Sequence, residues 1–421
     1  MKLFQSAPWL RAALLVLLAT LMTACGGGGS GDSAPVTPPV TPPIVQPVPD
    51  NTLALTVDAG PAGIGRNVNL LFASVTVCQP RSTSQCKTID HVLVDTGSTG
   101  LRLLSSALDS TVVLNPILSS TSLPLLNCAQ FVDGSYAWGP VVSADVVLGS
   151  KVASAVPIQI IADPVYAAAG GQCAAGNSVI DTASSLGANG ILGIGLFLQD
   201  CGTGCVNTTG NGYYYTCTDS TCKTSKGVAV PLSGQLANPV ALFATDNNGL
   251  SITLPAVSLP GVTHLSGSLV FGINTQSNNQ FKSGSLLVTD SVGLITTVFA
   301  GKTLSNSFID TGSNGLYFDT STLTACTPSS QMYGFYCPSS TTELSATLSG
   351  ENAVSANVSF SVSNAQTLVI GTDLTALPSL AGQMGSRTVF DWGLPFFYGR
   401  SVFFGFDQKS STLGTGPLIA F

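Results

Sequence analysis

The chain has 421 residues, enough for two domains or one large bilobed unit. Only 8% of them are charged, 44% are hydrophobic and 45 are glycine, which excludes a disordered chain and suits an all-β exported protein. A formal charge of −7, with no basic stripe, excludes nucleic acid as an expected partner.

The N-terminus reads as a targeting segment over residues 1–24. Lys2 and Arg11 flank or enter it, and the apolar run "AALLVLLATLM" is too short to span a bilayer. It ends in "LMTAC", where small residues before Cys25 resemble a bacterial lipoprotein processing site. The plainer alternative is an ordinary cleaved signal beside a stray cysteine. Removing residues 1–24 leaves 12 basic against 21 acidic residues, a formal charge of −9. Residues 25–50 are glycine- and proline-rich, a flexible to extended tether. No later apolar run is long enough to cross a bilayer, so membrane contact is expected through a lipid on Cys25 alone. Gly26 after that cysteine resembles the pattern for outer-membrane delivery, on the periplasmic or the surface face.

From Asn51 onward, short apolar stretches alternate with Gly, Ser, Asn and Pro clusters. "NVNLLFASVTV", "TIDHVLV", "PVVSADVVLG", "ASAVPIQIIA", "HLSGSLVFGI" and "GSLLVTDSV" are expected strands. "SSALDS" and "VPLSGQLANPVALFA" are expected short helices. The chain therefore predicts a mainly β fold. The string "GPAGIGR" lacks the strand-before, helix-after context of a nucleotide loop and is expected to be a turn.

Ten cysteines remain after Cys25, an even number. Cys78 with Cys86, and Cys326 with Cys337, are close in sequence; Cys128 and Cys173 are left to pair at long range. Cys201, Cys205, Cys217 and Cys222 form a cluster. A four-cysteine zinc site is the sharper reading of it, and disulfides of undetermined pairing are expected in an exported chain.

A repeat then decides the architecture. "VDTGSTGLRLLSSAL" at residues 94–108 is matched by "IDTGSNGLYFDTSTL" at 309–323, with the aspartates 215 residues apart. One Asp-Thr-Gly is weak evidence, since turns favour such residues. Two copies with a shared tail, each ending an apolar strand, imply two related lobes that each supply one carboxylate. The expected lobes span residues 51–240 and 241–421. The competing readings are two structural turn aspartates, or a dyad retained in a protein that only binds peptides.

Two facing carboxylates cannot both ionise cheaply, so Asp95 and Asp310 are expected to share a proton and hold a water. The ionised member accepts the water's proton and the protonated one donates to a substrate carbonyl. Gly97 and Gly312 let backbone amides approach, Ser98 and Ser313 can donate to the outer oxygens, and Thr96 and Thr311 can tie the loops together. A serine hydrolase is disfavoured because neither copy has a nucleophile elbow. The two histidines, His91 and His264, are too few for a His-rich metal site, so no metal and no cofactor is expected.

At these residues the chain resembles the pepsin-like aspartic protease superfamily. Residues 131–150 look like its flap hairpin, with Asp-Gly-Ser at the tip. "ANGILGIG" at 188–195 and "DWGLPFFYGRSVFFGFD" at 391–407 resemble the segments that back the two aspartate loops. "SGSLVFGI" at 266–273 resembles the strand opening the second lobe. The Asp-Trp-Gly-Leu-Pro-Phe-Phe-Tyr-Gly-Arg run, with the cysteine-rich insert, resembles the bacterial exported family DUF3443. The resemblance implies an all-β, bilobed fold with few short helices, and hydrolysis of peptide bonds at the Asp95–Asp310 dyad, best at acidic pH. It further implies a cleft lined by Phe131, Gly134, Ser135 and Tyr136, a peptide or protein substrate, and a monomer. The chain departs from the superfamily in two linked places. Phe131 stands where a flap tyrosine is usual, with Val132 replacing a common glycine, and Arg102 stands where that tyrosine's tryptophan partner is usual. Tyr136 or Trp138 are the candidates to rebuild this latch, with packing of the hairpin as their bland alternative. Arg102 is read as a solvated arginine by default.

Overall fold

The computed structural model describes residues 49–166, 171–174, 178–220 and 222–421. The targeting segment, Cys25 and the tether up to residue 48 lie outside these. Among the described residues no helix is long and apolar enough to cross a membrane.

The described chain is mainly β. One sheet of 17 strands runs through the first half and the floor of the molecule, and a 7-stranded sheet builds the second half. In the first half, Leu71–Cys78 pairs antiparallel with Cys86–Asp95 and Ser135–Leu148, and the latter pairs with Lys151–Ile161. Alternating residues such as Val75 and Val77 are fully buried, as a period of two requires of a half-buried strand. In the second half, Lys302–Ile309, Ile295–Phe299, Thr342–Ser349 and Ser355–Val362 follow one another across the smaller sheet.

The lobes share a floor. Thr52–Val57 pairs over its whole length with Leu265–Phe271, which pairs in turn with Gly249–Leu254 and, through it, with Arg400–Gly405. The first described strand therefore joins strands of both halves, since it also pairs with Leu71–Cys78. A division at residue 240 cuts through a common element, and residues 49–421 form one compact unit. Phe299, Phe318, Phe390 and Trp392 interlock inside the second lobe, with Phe390 stacked on Trp392 at 4.1 Å between ring centroids. Burying each such ring contributes about 2–3 kcal/mol relative to exposure.

The expected strands form, but the two expected helices do not. "SSALDS" holds only a 3-10 turn, Ser105–Ala107, and "VPLSGQLANPVALFA" holds two, Leu232–Gly234 and Pro239–Leu242. Prolines 231 and 239 and Gly234 break the backbone ladder before a full α-helical turn can propagate. "GPAGIGR" is a turn, with Gly63 and Gly65 both left-handed.

The cysteines pair as Cys78–Cys86, Cys128–Cys173, Cys201–Cys205, Cys217–Cys222 and Cys326–Cys337. The clustered four thus form two short-range disulfides and have no thiolates to offer zinc, which corrects the sharper reading of that cluster. Each joins partners four or five residues apart.

Candidate active site

Each Asp-Thr-Gly loop is held by a third strand. Cys86–Asp95 carries Val92 and Val94 into the core and emerges at Asp95. The chain turns through Thr96–Ser98 and returns as Thr99–Leu104. Gly190–Ile194 lies between, parallel to the outgoing strand and antiparallel to the returning one. Gly193 is required there, because a Cβ would sit 2.8 Å from both the Ser98 hydroxyl and the Gly100 carbonyl. The second loop repeats the plan. Asp391–Trp392 lies between Lys302–Ile309 and Leu316–Tyr317, again parallel to one and antiparallel to the other. The two backing segments inferred from sequence occupy these middle positions.

The threonines lock the loops to each other. The Thr96 amide donates to Thr311 Oγ1 at 3.1 Å and the Thr311 amide donates to Thr96 Oγ1 at 3.0 Å. Each hydroxyl then donates to the opposite strand, Thr96 to the Ile309 carbonyl and Thr311 to the Val94 carbonyl. Four reciprocal, buried hydrogen bonds fix the separation of the loops more tightly than packing alone, since leaving any one unmade costs about 1–3 kcal/mol.

The carboxyls sit directly above this lock. Asp95 Oδ1 accepts from the Gly97 amide at 2.8 Å and its Oδ2 from the Ser98 hydroxyl at 2.5 Å. Asp310 Oδ1 accepts from the Gly312 amide at 2.7 Å and its Oδ2 from the Ser313 hydroxyl at 2.9 Å. The loops cross closely enough that a Cβ on Gly97 would lie 2.8 Å from Asp310 Oδ1, and one on Gly312 2.7 Å from Asp95 Oδ1. Burial holds the Asp310 carboxyl well above the usual carboxylate range, the charges of Asp95 and Asp391 add to the shift, and a hydrogen bond shared with Asp95 adds further. A neutral acid therefore stands beside a second carboxyl, as a proton-sharing pair requires. Gly312→Ala is expected to push the carboxyls apart with the fold retained; if the pair hydrolyses peptides, kcat/KM falls about 100-fold, read by peptide hydrolysis beside thermal unfolding.

The hairpin of Leu125–Gln130 and Ser135–Leu148 turns at residues 131–134. Asp133 accepts from the Ser135 amide and hydroxyl, and Gly134 is left-handed, which closes the tip. Burial holds the Tyr317 phenol of the second lobe above its usual range, and the charges of Asp391 and of Asp133 at the hairpin tip add to the shift. Phe131 packs on the first-lobe cluster that contains Leu93, Leu104 and Ile191, and Val132 stands exposed at the tip. Tyr136 and Trp138 do not form a latch. They pack in a separate cluster with Cys128, Cys173 and Tyr215, and the Trp138 indole donates to the Tyr166 carbonyl.

Arg102 corrects the sequence reading. It is 3% exposed rather than solvated, and its guanidinium pairs with Asp200 at 3.5 Å. It also donates to the carbonyls of Thr99 and Gly100, the returning side of the first loop. Asp200 in turn accepts from the Tyr214 hydroxyl at 2.6 Å and from Asn127 at 3.0 Å. Where the superfamily's latch partner is usual, this chain has a buried ionic brace beneath the loop. Asp200, Tyr214 and Asn127 escaped the sequence reading because nothing in their spacing links them to residue 102. His91 lies against Asp58 and Asp90, and His264 against Ser266, so neither joins the site. Asp391 was also missed, although its signal is the one that singles out Asp95: a lone acid in the apolar run "VFDWGLPFF".

The DUF3443 model, described as a protein of unknown function, matches residues 47–421. The chain belongs to this family. The DUF3443 span takes in both aspartate loops, the hairpin and the cysteine-rich insert. No curated protein sequence matches. Among solved structures, the aspartic proteinase from Irpex lacteus is similar at 15% identity and a TM-score of 0.43, over 88% of this chain and 96% of that one. So distant a likeness concerns the fold alone. The all-β, bilobed architecture of this DUF3443 member rests on the strand pairing and on the duplicated, interlocked loops.

Proposed function

We propose that the chain is an aspartic endopeptidase acting on peptides or proteins. The observation that carries this reading is the pair of buried carboxyls, Asp95 and Asp310, held face to face by reciprocal threonine bonds. Protonated Asp310 donates to the scissile carbonyl oxygen, while ionised Asp95 takes a proton from water. The resulting hydroxide attacks the carbonyl carbon to give a tetrahedral diol. The diol collapses as the C–N bond breaks: the departing amine takes the proton from Asp95, and a diol hydroxyl gives its proton back to Asp310 as the product carboxyl forms, restoring one shared proton. The hairpin tip is suited to cover the substrate and exclude water.

The test is cleavage of a peptide library between pH 3 and 7, with statine-type inhibition and with Asp95→Asn as control. Retained peptide binding with no cleavage, and no effect of a statine, would favour the alternative of a peptide-binding protein on the same fold. We further propose that the protein is a monomeric exported lipoprotein, anchored through Cys25 and delivered to the outer membrane. Five disulfides suit an oxidising compartment. Labelled palmitate is expected to enter the wild type and not Cys25→Ala; equal labelling of both would remove the anchor.

A further inference from the structure

Asp391 lies between two fully buried aromatic residues, Phe390 and Trp392, which stack on each other in the core. Strand alternation turns the side chain between them to the opposite face. Its register partner on the returning strand is Tyr317, and the Trp392 carbonyl accepts the Asp310 amide at 3.0 Å. Asp310 follows Ile309, whose side chain is in the same core as Trp392, so Asp310 and Asp391 share the face that meets the other lobe. Asp391 is 4% exposed, close to Asp95 at 6% and Asp310 at 8%. It sits as deep as the dyad and on its face.

What distinguishes Asp391 is that its Oδ1 has no hydrogen-bond partner among the described residues. Other buried carboxylates are paired: Asp246 takes Lys151, Thr275 and Gln276, and Asp200 takes Arg102, Tyr214 and Asn127. The groups that face Asp391 from the packed elements are the Asp310 and Asp95 carboxyls, the Ser313 hydroxyl and the Tyr317 phenol. Among the described residues these groups are acidic or neutral, so the complement missing from this face is a cation. A buried carboxyl without one is costly, and a ligand that brings the charge recovers that cost.

We propose that Asp391 determines specificity by receiving the lysine or arginine side chain that flanks the scissile bond on the side of the second lobe. This rests on the peptidase reading for the placement of the scissile bond. Burial pushes the Asp391 carboxyl up to about 8, the Asp95 charge adds to the shift and the Ser313 hydroxyl opposes it. The empty site therefore holds a proton at neutral pH, which passes to solvent when the cation enters. Preference for a basic side chain should accordingly grow with rising pH.

The experiment uses peptides that differ only by lysine or norleucine at either residue flanking the bond. Wild type is expected to favour lysine in kcat/KM at one of these positions by about 10-fold or more at pH 7, and by less at pH 4. Asp391→Asn is expected to bring the ratio near one at both pH values. The same peptides are titrated into Asp95→Asn protein, with and without Asp391→Asn, to read binding without turnover. Hydrolysis with no lysine preference, or a preference that survives Asp391→Asn, overturns the inference and leaves the peptidase reading standing. Tighter lysine-peptide binding that needs Asp391, with no hydrolysis by wild type, supports the inference and removes the peptidase reading. Equal binding of both peptides overturns it. If Asp391→Asn fails to fold, Asp391→Ser is read in its place.

Discussion

On the proposed peptidase reading, Asp310→Asn is expected to abolish peptide hydrolysis, lowering kcat/KM by about 1,000-fold or more, while the fold stays intact. The amide is nearly isosteric with the carboxyl and still accepts from the Gly312 amide, so the threonine lock below is not disturbed. What it cannot do is exchange a proton with Asp95. The dyad then has one carboxyl to perform two steps, taking a proton from water and giving one to the carbonyl oxygen. General acid–base catalysis of this kind contributes about 100- to 10,000-fold for each role. Asp95→Asn is expected to be equally inactive, and the double variant no worse than either, because the carboxyls work as a unit. Measured kcat/KM of all three, with circular dichroism to confirm folding, decides the matter. Activity of Asp310→Asn within 10-fold of wild type would sink the dyad mechanism.

The second large effect concerns stability against pH, and its direction is opposite to ordinary acid unfolding. Burial pushes Asp200 up to about 6 even though Arg102, Tyr214 and Asn127 pull it down. Burial likewise pushes Asp391 up to about 8, and Asp310 stands well above the carboxylate range. In each case the folded chain holds the proton more tightly than the unfolded one, whose carboxyls titrate near 4. Their stabilising contribution is complete below pH 4 and is lost as pH rises through 6 and then 8. Asp200 alone accounts for about 3 kcal/mol between those limits. Asp246 acts in the other sense. Burial opposes the shift, but bonds from Lys151, Thr275 and Gln276 hold it low, so its contribution is lost only as pH falls below about 4. The thermal midpoint is therefore expected to peak near pH 4–5 and to fall on the order of 5 °C by pH 8. Asp200→Asn should flatten the part of the curve between pH 5 and 7. Calorimetry showing a midpoint that is level or rising from pH 4.5 to 8 would contradict this account. A fold that gains stability in acid matches a dyad expected to work there.

The duplicated loop shows how far local information reached. Asp95 with Thr-Gly-Ser and Asp310 with the same tail were legible because the chemistry needs those residue types consecutively: a carboxyl, a hydroxyl to lock the partner loop, a glycine to admit it. The strands Leu71–Cys78 and Ser135–Leu148 were legible for the same local reason, as apolar stretches bounded by turn residues. The helix expected in "VPLSGQLANPVALFA" failed because proline and glycine positions outweighed apolar spacing.

The sequence by itself determined the β class, the paired aspartates and the residues that support them, since each is written in neighbours along one stretch of chain. Only the tertiary structure decided what stands around them. Arg102 became a buried brace because Asp200, held by donations from Asn127 and Tyr214 on separate strands, supplies its countercharge, and the Thr99 and Gly100 carbonyls accept from its guanidinium. Tyr136 and Trp138 went to a disulfide-lined cluster because the long-range Cys128–Cys173 pair draws the hairpin base there. Asp391 became a third carboxyl beside the dyad because a strand 81 residues downstream of Asp310 slots next to the strand that carries it in parallel register. Burial and charge are sums over groups distant in sequence, so the identity of a side chain states what it can do, and the packing around it decides what it does.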